Sequence, residues 1–232
     1  MAAWAVLILV TIVPGLLWLL YFYRKDIYEP EPKGIVLRSF MLGMVAVVVA
    51  ALIETLFRNA LESARLSGDL LSLFLFSVLG IGLVEEGLKM GVVWISAYRT
   101  PEFNEIMDGI IYGASVGLGF AALENLFYAR TWGLWVALSR AVLTCLAHAL
   151  FSGLSGYYMA LARFNPEKRI GLILKGLLIT SFWHGTYNFL LLCPYPLWRF
   201  GSLLIVLGLA YTVGRKITFA QQFSPFRGAK ED

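Results

Sequence analysis

Apolar segments long enough to cross a lipid bilayer occupy most of this 232-residue chain. A helix needs roughly 20 apolar residues to cross about 30 Å of hydrocarbon at 1.5 Å per residue. Seven segments meet that requirement, and the predicted spans are residues 3–23, 35–56, 70–97, 107–129, 134–162, 170–192 and 198–214. The alternating pattern of a transmembrane β-strand is absent, so helices are the expected spanning structure. The sequence therefore predicts an all-α, polytopic membrane protein, a bundle of about seven transmembrane helices.

The composition agrees with this prediction and excludes several classes of protein. Apolar residues make up 59% of the chain and charged residues only 15%, whereas soluble proteins have about 25% charged residues. A cytoplasmic enzyme, a disordered chain and a secreted disulfide scaffold are therefore excluded. Cys145 and Cys193 are interpreted as small hydrophobes. Because the predicted loops are short, we expect a single integral-membrane domain over residues 1–232.

The distribution of basic residues predicts the orientation in the cell membrane through the positive-inside rule. One side holds eleven basic residues: Arg24, Lys25, Lys33, Arg99, Arg163, Lys168, Arg169, Arg215, Lys216, Arg227 and Lys230. The other side holds Arg58, Arg65, Arg130 and Arg199. We therefore expect the N-terminus outside and the C-terminus in the cytoplasm. The net charge of +4 is explained by these loops, and the expected environment is the lipid bilayer, with no nucleic-acid partner.

Polar residues inside the predicted spans carry the functional signal, because an Asp, Lys or Arg at the centre of a span costs roughly 2.5–3.5 kcal/mol. In chain order they are Glu85, Glu86, Lys89, Glu124, Asn125, His148, His184 and Asn188. The chain has two histidines, and both lie in spans. A structural interpretation is also open for each residue. Lys89 can pair with either glutamate along the helix, and a histidine in a membrane often makes only an interhelical hydrogen bond.

Adjacent residues on a helix point about 100° apart. We therefore expect one of Glu85 and Glu86 to take part in chemistry while the other holds Lys89. Gly109, Gly113 and Gly117 form a small-residue stripe on the fourth span, for which helix packing is favoured over exposure of the backbone to a peptide. Asp108 is expected to support the start of that span as a helix cap. The segment 29–32, Glu-Pro-Glu-Pro, is expected to be a connecting loop.

Glutamate and histidine together in a membrane cavity indicate hydrolysis. A carboxylate can deprotonate water, and histidine or asparagine can donate to an oxyanion. Two histidines and a glutamate also form a common zinc ligand set, with another glutamate as base. An ion- or proton-coupled transporter or channel is the main alternative, because buried carboxylates also build ion paths. A non-enzymatic sensor or scaffold is a third possibility.

The polar motifs resemble those of the PrsW family of bacterial membrane proteases. The matching segments are Glu85-Glu86-x-x-Lys89, Phe120-x-x-x-Glu124-Asn125, His148 within Cys-Leu-Ala-His-Ala-Leu, and His184-Gly-Thr-Tyr-Asn188. The segments beginning at Tyr28 and at Asp108 are similar as well, so the resemblance covers nearly the whole chain in the family's order. It implies a protease distantly similar to the type II CAAX prenyl proteases and to bacteriocin-immunity proteins. The family's role is the first, extracytoplasmic cut of a membrane-bound anti-sigma factor.

The resemblance also assigns roles to individual residues. It implies that Glu85 and Glu86 are the acidic pair required for activity, and His184 and Asn188 match the last motif of the superfamily. Our hypothesis is that Glu85 or Glu86 activates water and that His184 and Asn188 steady the oxyanion. Glu124 stands where the CAAX relatives have histidine, and it completes the catalytic set together with His148. If zinc is the cofactor, the expected ligands are Glu124, His148 and His184. Lys89, Asn125 and Asp108 are expected to give structural support, and the expected partner is a single-pass membrane anti-sigma factor.

Overall fold

The computed structural model describes residues 2–230, and these residues form helices without strands. The helices are α1 (Ala2–Tyr23), α2 (Lys33–Glu54), α3 (Arg58–Ser67), α4 (Leu70–Leu75), α5 (Leu83–Val93), α6 (Ile106–Trp132), α7 (Leu134–Phe164), α8 (Arg169–Leu192) and α9 (Arg199–Gln222). The π-helical segment Phe76–Gly82 joins α4 to α5, and a second one, Trp94–Tyr98, extends α5, which gives one continuous helix over Leu70–Tyr98. The predicted all-α class is therefore confirmed.

Six helices of the described chain are long and apolar enough to cross a membrane: Val6–Tyr23, Lys33–Glu54, Leu70–Tyr98, Ile106–Trp132, Leu134–Phe164 and Pro196–Gln222. The predicted span 170–192 corresponds to α8, which has 24 residues. Its length is sufficient, but Lys175, His184 and Asn188 make it less apolar than the others. By length and composition the protein is thus a multi-pass membrane protein with six candidate spans, and α8 is a seventh helix of sufficient length.

Contacts at its two ends show that α8 crosses the bundle. Near its start, Arg163 at the end of α7 donates to the main-chain carbonyls of Tyr98 and Thr100, the latter at 3.1 Å. Near its end, Phe189 packs edge-on against Phe74, with 5.4 Å between ring centroids. Since Phe74 and Tyr98 lie at opposite ends of the helix Leu70–Tyr98, α8 runs the length of that helix.

Two boundaries differ from the sequence prediction. The last span was predicted to end at residue 214, but α9 continues to Gln222. The prediction placed the end of the span before the basic residues that follow Gly214. The helix continues past them, and the ammonium of Lys216 lies 4.9 Å from the ring centroid of Tyr157. The predicted outer loop after residue 56 contains α3, a short helix whose pattern is amphipathic rather than apolar.

Helix α6 occupies the centre of the bundle and packs against α1, α2 and α7. The glycine stripe explains the closest of these contacts: a Cβ added at Gly113 would lie 2.2 Å from the carbonyl oxygen of Ser152 on α7, and one at Gly117 would lie 2.4 Å from that of His148. The predicted packing role of the stripe is confirmed. This backbone contact brings α7, with His148, against α6.

A second close contact joins the helix Leu70–Tyr98 to α8. A Cβ at Gly82 would lie 2.3 Å from the carbonyl oxygen of Ser181, and one at Gly185 would lie 2.3 Å from the Cα of Val78. The π-helical segment Phe76–Gly82 ends at this contact, just before Glu85. Backbone contact at these glycines therefore holds the start of α5 against the part of α8 that carries His184.

Candidate active site

Lys89 is fully buried at the centre of a polar cluster. Its ammonium lies 2.9 Å from Glu85 Oε2, 2.9 Å from Glu86 Oε1 and 3.0 Å from His148 Nδ1. It also lies 4.0 Å from the ring centroid of Phe120, a cation–π contact. Because Lys89 pairs with both glutamates, the expectation that only one of them would hold it is wrong.

His184 is buried between the same two glutamates. Its Nδ1 is 2.9 Å from Glu86 Oε1 and its Nε2 is 3.7 Å from Glu85 Oε2. Phe151 stacks on the ring at a centroid distance of 4.7 Å and an interplanar angle of 9°. Adjacent glutamates thus reach one imidazole, since each approaches a different ring nitrogen.

His148 connects this group to Glu124. Its Nε2 lies 3.2 Å from Glu124 Oε2, and its ring lies 5.1 Å from that of His184 in an edge-to-face arrangement. Phe120 stacks on the other side with 5.6 Å between centroids. The structure therefore brings together Glu85, Glu86, Lys89, Glu124, His148 and His184.

Arg140 belongs to the cluster and was missed by the sequence reasoning. Its Nη2 donates to Glu124 Oε2 at 2.7 Å and its Nε donates to Asn125 Oδ1 at 2.9 Å. Its guanidinium lies 3.7 Å from the ring centroid of Tyr128. The sequence did contain a signal for this residue, because Arg140 is a charged residue inside the predicted span 134–162. Asn125 in turn donates to Cys145 Sγ at 3.3 Å.

Glu54, at the end of α2, is a second missed residue. One of its carboxylate oxygens is buried without a hydrogen-bond partner. The charges of Glu85, Glu124 and Lys89 act on its carboxyl group, so Glu54 lies close to the cluster. Its place two residues before the predicted end of a span hid it, since acidic residues near span ends are common.

Asn188 and Asp108 lie outside the contacts of the cluster. Asn188 is half-buried one turn beyond His184, and no hydrogen bond described in the structure joins its side chain to the cluster. Asp108 lies at the opposite end of α6, 16 residues before Glu124, or about 24 Å away at helical rise. There Asp108 Oδ2 accepts hydrogen bonds from the backbone N–H groups of Asn104 at 2.5 Å and Glu105 at 2.7 Å.

The donor atoms fit a metal ion. Glu85, His148 and His184 are all buried, and each offers a ligand atom within 4.8 Å of the others. Two imidazoles and a carboxylate are a usual set for catalytic zinc. The structure thus groups Glu85 with the two histidines, whereas the sequence had suggested Glu124. Glu86 Oε1 lies next to Nδ1 of His184, whereas Glu85 lies on the side of Nε2. A carboxylate on the ring nitrogen that does not bind the metal typically orients a metal-binding histidine.

Two cavities lie at the end of the bundle that carries α3, next to the cluster. One of about 280 Å³ is lined by Glu54, Arg58 and Leu61 among others. A larger cavity of about 680 Å³ shares Arg58 and Leu61 with it and extends to Tyr128 and Trp132. Glu54 lines the first cavity, and Tyr128, whose ring lies against Arg140, lines the second. Both cavities therefore border the cluster, although their walls do not include Glu85, His148 or His184.

Comparison with known proteins gives a consistent result. A sequence profile described as PrsW family intramembrane metalloprotease matches residues 31–214. The chain is 42% identical over 181 residues to the protein named Protease PrsW from Bacillus subtilis (strain 168), covering 78% of this chain and 80% of the relative. It is 37% identical over 213 residues to Protease PrsW from Geobacillus kaustophilus (strain HTA426), covering 92% and 91%. No solved structure gives a significant match.

Proposed function

Because this chain belongs to the PrsW family of intramembrane metalloproteases and is therefore a peptidase in a lipid bilayer, we propose that it makes the first, site-1 cut in a single-pass membrane anti-sigma factor. A second protease then acts within the membrane, and the released sigma factor directs a stress response. The observation that carries the proposal is the buried group of Glu85, His148 and His184 beside further carboxylates. Family membership favours hydrolysis over the transporter or channel alternative.

The proposed metal is zinc, held by Glu85, His148 and His184. A bound zinc ion would polarise the peptide carbonyl and make its water acidic enough to ionise near neutral pH. Glu86 Oε1 fixes the orientation of His184 through Nδ1. Lys89 sits among these acids as a fixed positive charge, which limits repulsion between the carboxylates of Glu85 and Glu86.

Glu124 is proposed to hold the proton taken from the attacking water. Its side chain is 18% exposed, whereas those of Glu85 and Glu86 are 5% and 0% exposed, so it is the most accessible of the three acids. Its Oε2 is already bound by Arg140 and by His148, which leaves Oε1 for the water. Asn188 lies on α8 one turn after His184 and is proposed to donate to the oxyanion. His184 no longer serves this role in the zinc mechanism, because one ring nitrogen is held by Glu86 and the other is left for the metal.

The substrate segment is proposed to enter from the extracytoplasmic side. With the N-terminus outside, the α3 end of the bundle faces outward, and the two cavities at Arg58 open there. The segment of a single-pass protein that lies just outside the membrane can reach the cluster by this route. This supports a cut near the outer membrane face.

Purified protein and a single-pass anti-sigma substrate reconstituted in liposomes test the proposal. Cleavage should be lost by about 100-fold or more in Glu124→Gln and retained in Glu167→Gln, a matched change of an exposed acid in the loop between α7 and α8. About one zinc ion per chain is expected, and its removal by a chelator should abolish cleavage. Full activity of metal-free protein, or unchanged cleavage by Glu124→Gln, would contradict the proposed mechanism.

A further inference from the structure

Four acidic residues lie buried together at the other end of the bundle, where the loop of residues 24–32 meets the start of α6. Asp26 is 4% exposed, Glu31 is 2% exposed, Glu105 is 3% exposed and Asp108 is 0% exposed. We call these four residues the acidic cluster. Asp108 is about 24 Å along α6 from Glu124, so the acidic cluster is separate from the candidate active site.

Each member of the acidic cluster has a buried carboxylate oxygen without a hydrogen-bond partner. The amide oxygen of neighbouring Asn104 is in the same situation. In the described part of the chain, eight buried side-chain atoms lack a partner, and these are five of them. Buried polar groups without partners are costly and rare. All five atoms are oxygens that can only accept, so their concentration at one place points to a ligand that is positive or donates.

The surrounding charges have the same sign. The charges that act on Asp26 are those of Glu105, Asp108 and Glu29. The ion pairs described in the structure join other residues. The acidic cluster therefore needs either protons or a cation to balance its charge.

The loop sequence aims Glu31 into the protein. Pro30 and Pro32 are exposed and hold the segment extended, so the residue between them points inward. Tyr23 Oη donates to the main-chain carbonyl of Glu31 at 3.1 Å, and Tyr112 Oη donates to Glu31 Oε2. One oxygen of the carboxylate is thus fixed, and Oε1 is left for another partner.

Asp108 is fixed in the same manner from the other side. Its Oδ2 accepts the two backbone N–H groups at the start of α6, and Oδ1 has no partner. The carboxyl groups of Glu31 and Asp108 lie within hydrogen-bonding contact of each other. Two carboxyl groups can face each other at that distance only with a proton or a cation between them.

We propose that the acidic cluster binds a hydrated hard divalent cation of the Mg²⁺ type, with Glu31 and Asp108 as direct ligands. The donors are carboxylate and amide oxygens, which suit hard cations. Among the described residues, the one group of three acids or histidines close enough to share an ion directly is Glu85, His148 and His184. Mg²⁺ commonly uses one or two carboxylates and keeps several waters. Asp26, Glu105 and Asn104 then bind through those waters.

The cation links three segments of the chain. Glu31 belongs to the loop 24–32, Asn104 and Glu105 to the loop 99–105, and Asp108 to the first turn of α6. The site gives the Glu-Pro-Glu-Pro loop a role that the proposed protease chemistry does not use. It is independent of that chemistry, and the two proposals can fail separately.

The test uses Mn²⁺ as the probe and the full-length protein in detergent, with zinc present to saturate the Glu85–His148–His184 group. Free Mn²⁺ is counted by electron paramagnetic resonance. Wild-type protein should bind about one Mn²⁺ per chain, which excess Mg²⁺ displaces. Mn²⁺ affinity should fall at least about 10-fold in Glu31→Gln, because a direct ligand is lost. Glu167→Gln, a change of an exposed acid in the loop between α7 and α8, should bind as the wild type does.

Thermal unfolding gives a second measurement. Mg²⁺ should raise the Tm of wild type and of Glu167→Gln but not of Glu31→Gln. If Glu31→Gln does not fold, Asp26→Asn takes its place, and the Mn²⁺ count of wild type still decides. Wild type that binds no Mn²⁺ and is stabilised only by acid would place a proton between the carboxyls and overturn the proposal. Unchanged Mn²⁺ affinity in Glu31→Gln would overturn it as well.

Discussion

Lys89 illustrates how single residues decide the character of the site. A fully buried ammonium is tolerated because two carboxylates, an imidazole nitrogen and an aromatic face surround it. A buried ion pair of this kind adds little to stability relative to a well-packed apolar group, but removing one partner leaves charge uncompensated. Removing one member of the group should therefore destabilise the folded protein, because the remaining buried charges lose their partner.

Lys89→Met should reduce the free energy of unfolding by about 3–5 kcal/mol, because Glu85 and Glu86 then lie buried without their common partner. The measurement is chemical unfolding in mixed micelles. Lys175→Met removes an exposed lysine from α8 and should change the value by less than about 1 kcal/mol. Adding Glu86→Gln to Lys89→Met should restore part of the loss. Wild-type stability in Lys89→Met would mean that the ammonium does not hold the carboxylates.

Arg140 offers a test of geometry rather than charge alone. It binds Glu124 and Asn125 through different nitrogens, which a lysine cannot do at the same time. We expect Arg140→Lys to lower kcat by about 10-fold with little change in KM, since Glu124 is less firmly oriented. Arg199→Lys, at the start of α9, is the control and should leave kcat unchanged. Equal kcat in both variants would remove Arg140 from the positioning of Glu124.

At the scale of elements, glycines set the distances between the helices that carry the site. The stripe Gly109, Gly113 and Gly117 lets α6 lie against α7, while Gly82 and Gly185 let the helix Leu70–Tyr98 lie against α8. The small-residue pattern on α6 was readable from its spacing. The contact between Gly82 and Gly185 was not readable from the sequence, because it joins two segments that lie about 100 residues apart in the chain.

Gly113→Ala should destabilise the protein and lower its activity, because the new Cβ would lie 2.2 Å from the carbonyl oxygen of Ser152 and the backbones must separate. The expected loss is about 1–3 kcal/mol. Gly208→Ala on α9 is the matched control, since an added Cβ there meets nothing within 4 Å. Unfolding in mixed micelles and cleavage in liposomes measure the two effects. A Gly113→Ala protein as stable as Gly208→Ala would contradict close α6–α7 packing.

At the scale of the whole molecule, the hydrogen bond from Gln221 Nε2 to the main-chain carbonyl of Lys25, at 2.6 Å, bears on topology. It places the end of α9 beside the end of α1. The chain must therefore cross the bundle an even number of times between them, which requires α8 to cross along with α2, Leu70–Tyr98, α6, α7 and α9. The two termini should accordingly lie on opposite sides of the membrane.

Cysteine labelling tests this topology. Cys145 and Cys193 are buried, so an impermeant maleimide should report on added cysteines. Asn59→Cys on α3 should be labelled in intact cells. Glu167→Cys and Ser224→Cys should be labelled only after permeabilisation, because their loops are basic and predicted to be cytoplasmic. Labelling of Ser224→Cys in intact cells would mean that α8 does not cross or that the orientation is reversed.

The sequence by itself determined that the chain crosses a membrane several times as helices. It also determined that certain polar residues must be buried inside the bundle rather than exposed to lipid: Glu85, Glu86, Glu124, His148 and His184. Both follow from the cost of polar groups in lipid, which does not depend on neighbours. Only the tertiary structure decided which of these residues meet. Spacing along one helix fixes angles, but the distance between helices depends on side-chain packing and close backbone contact. For that reason Glu85 lies beside His184 while Glu124 lies beside His148, Arg140 enters the site, and Glu31 lies beside Asp108.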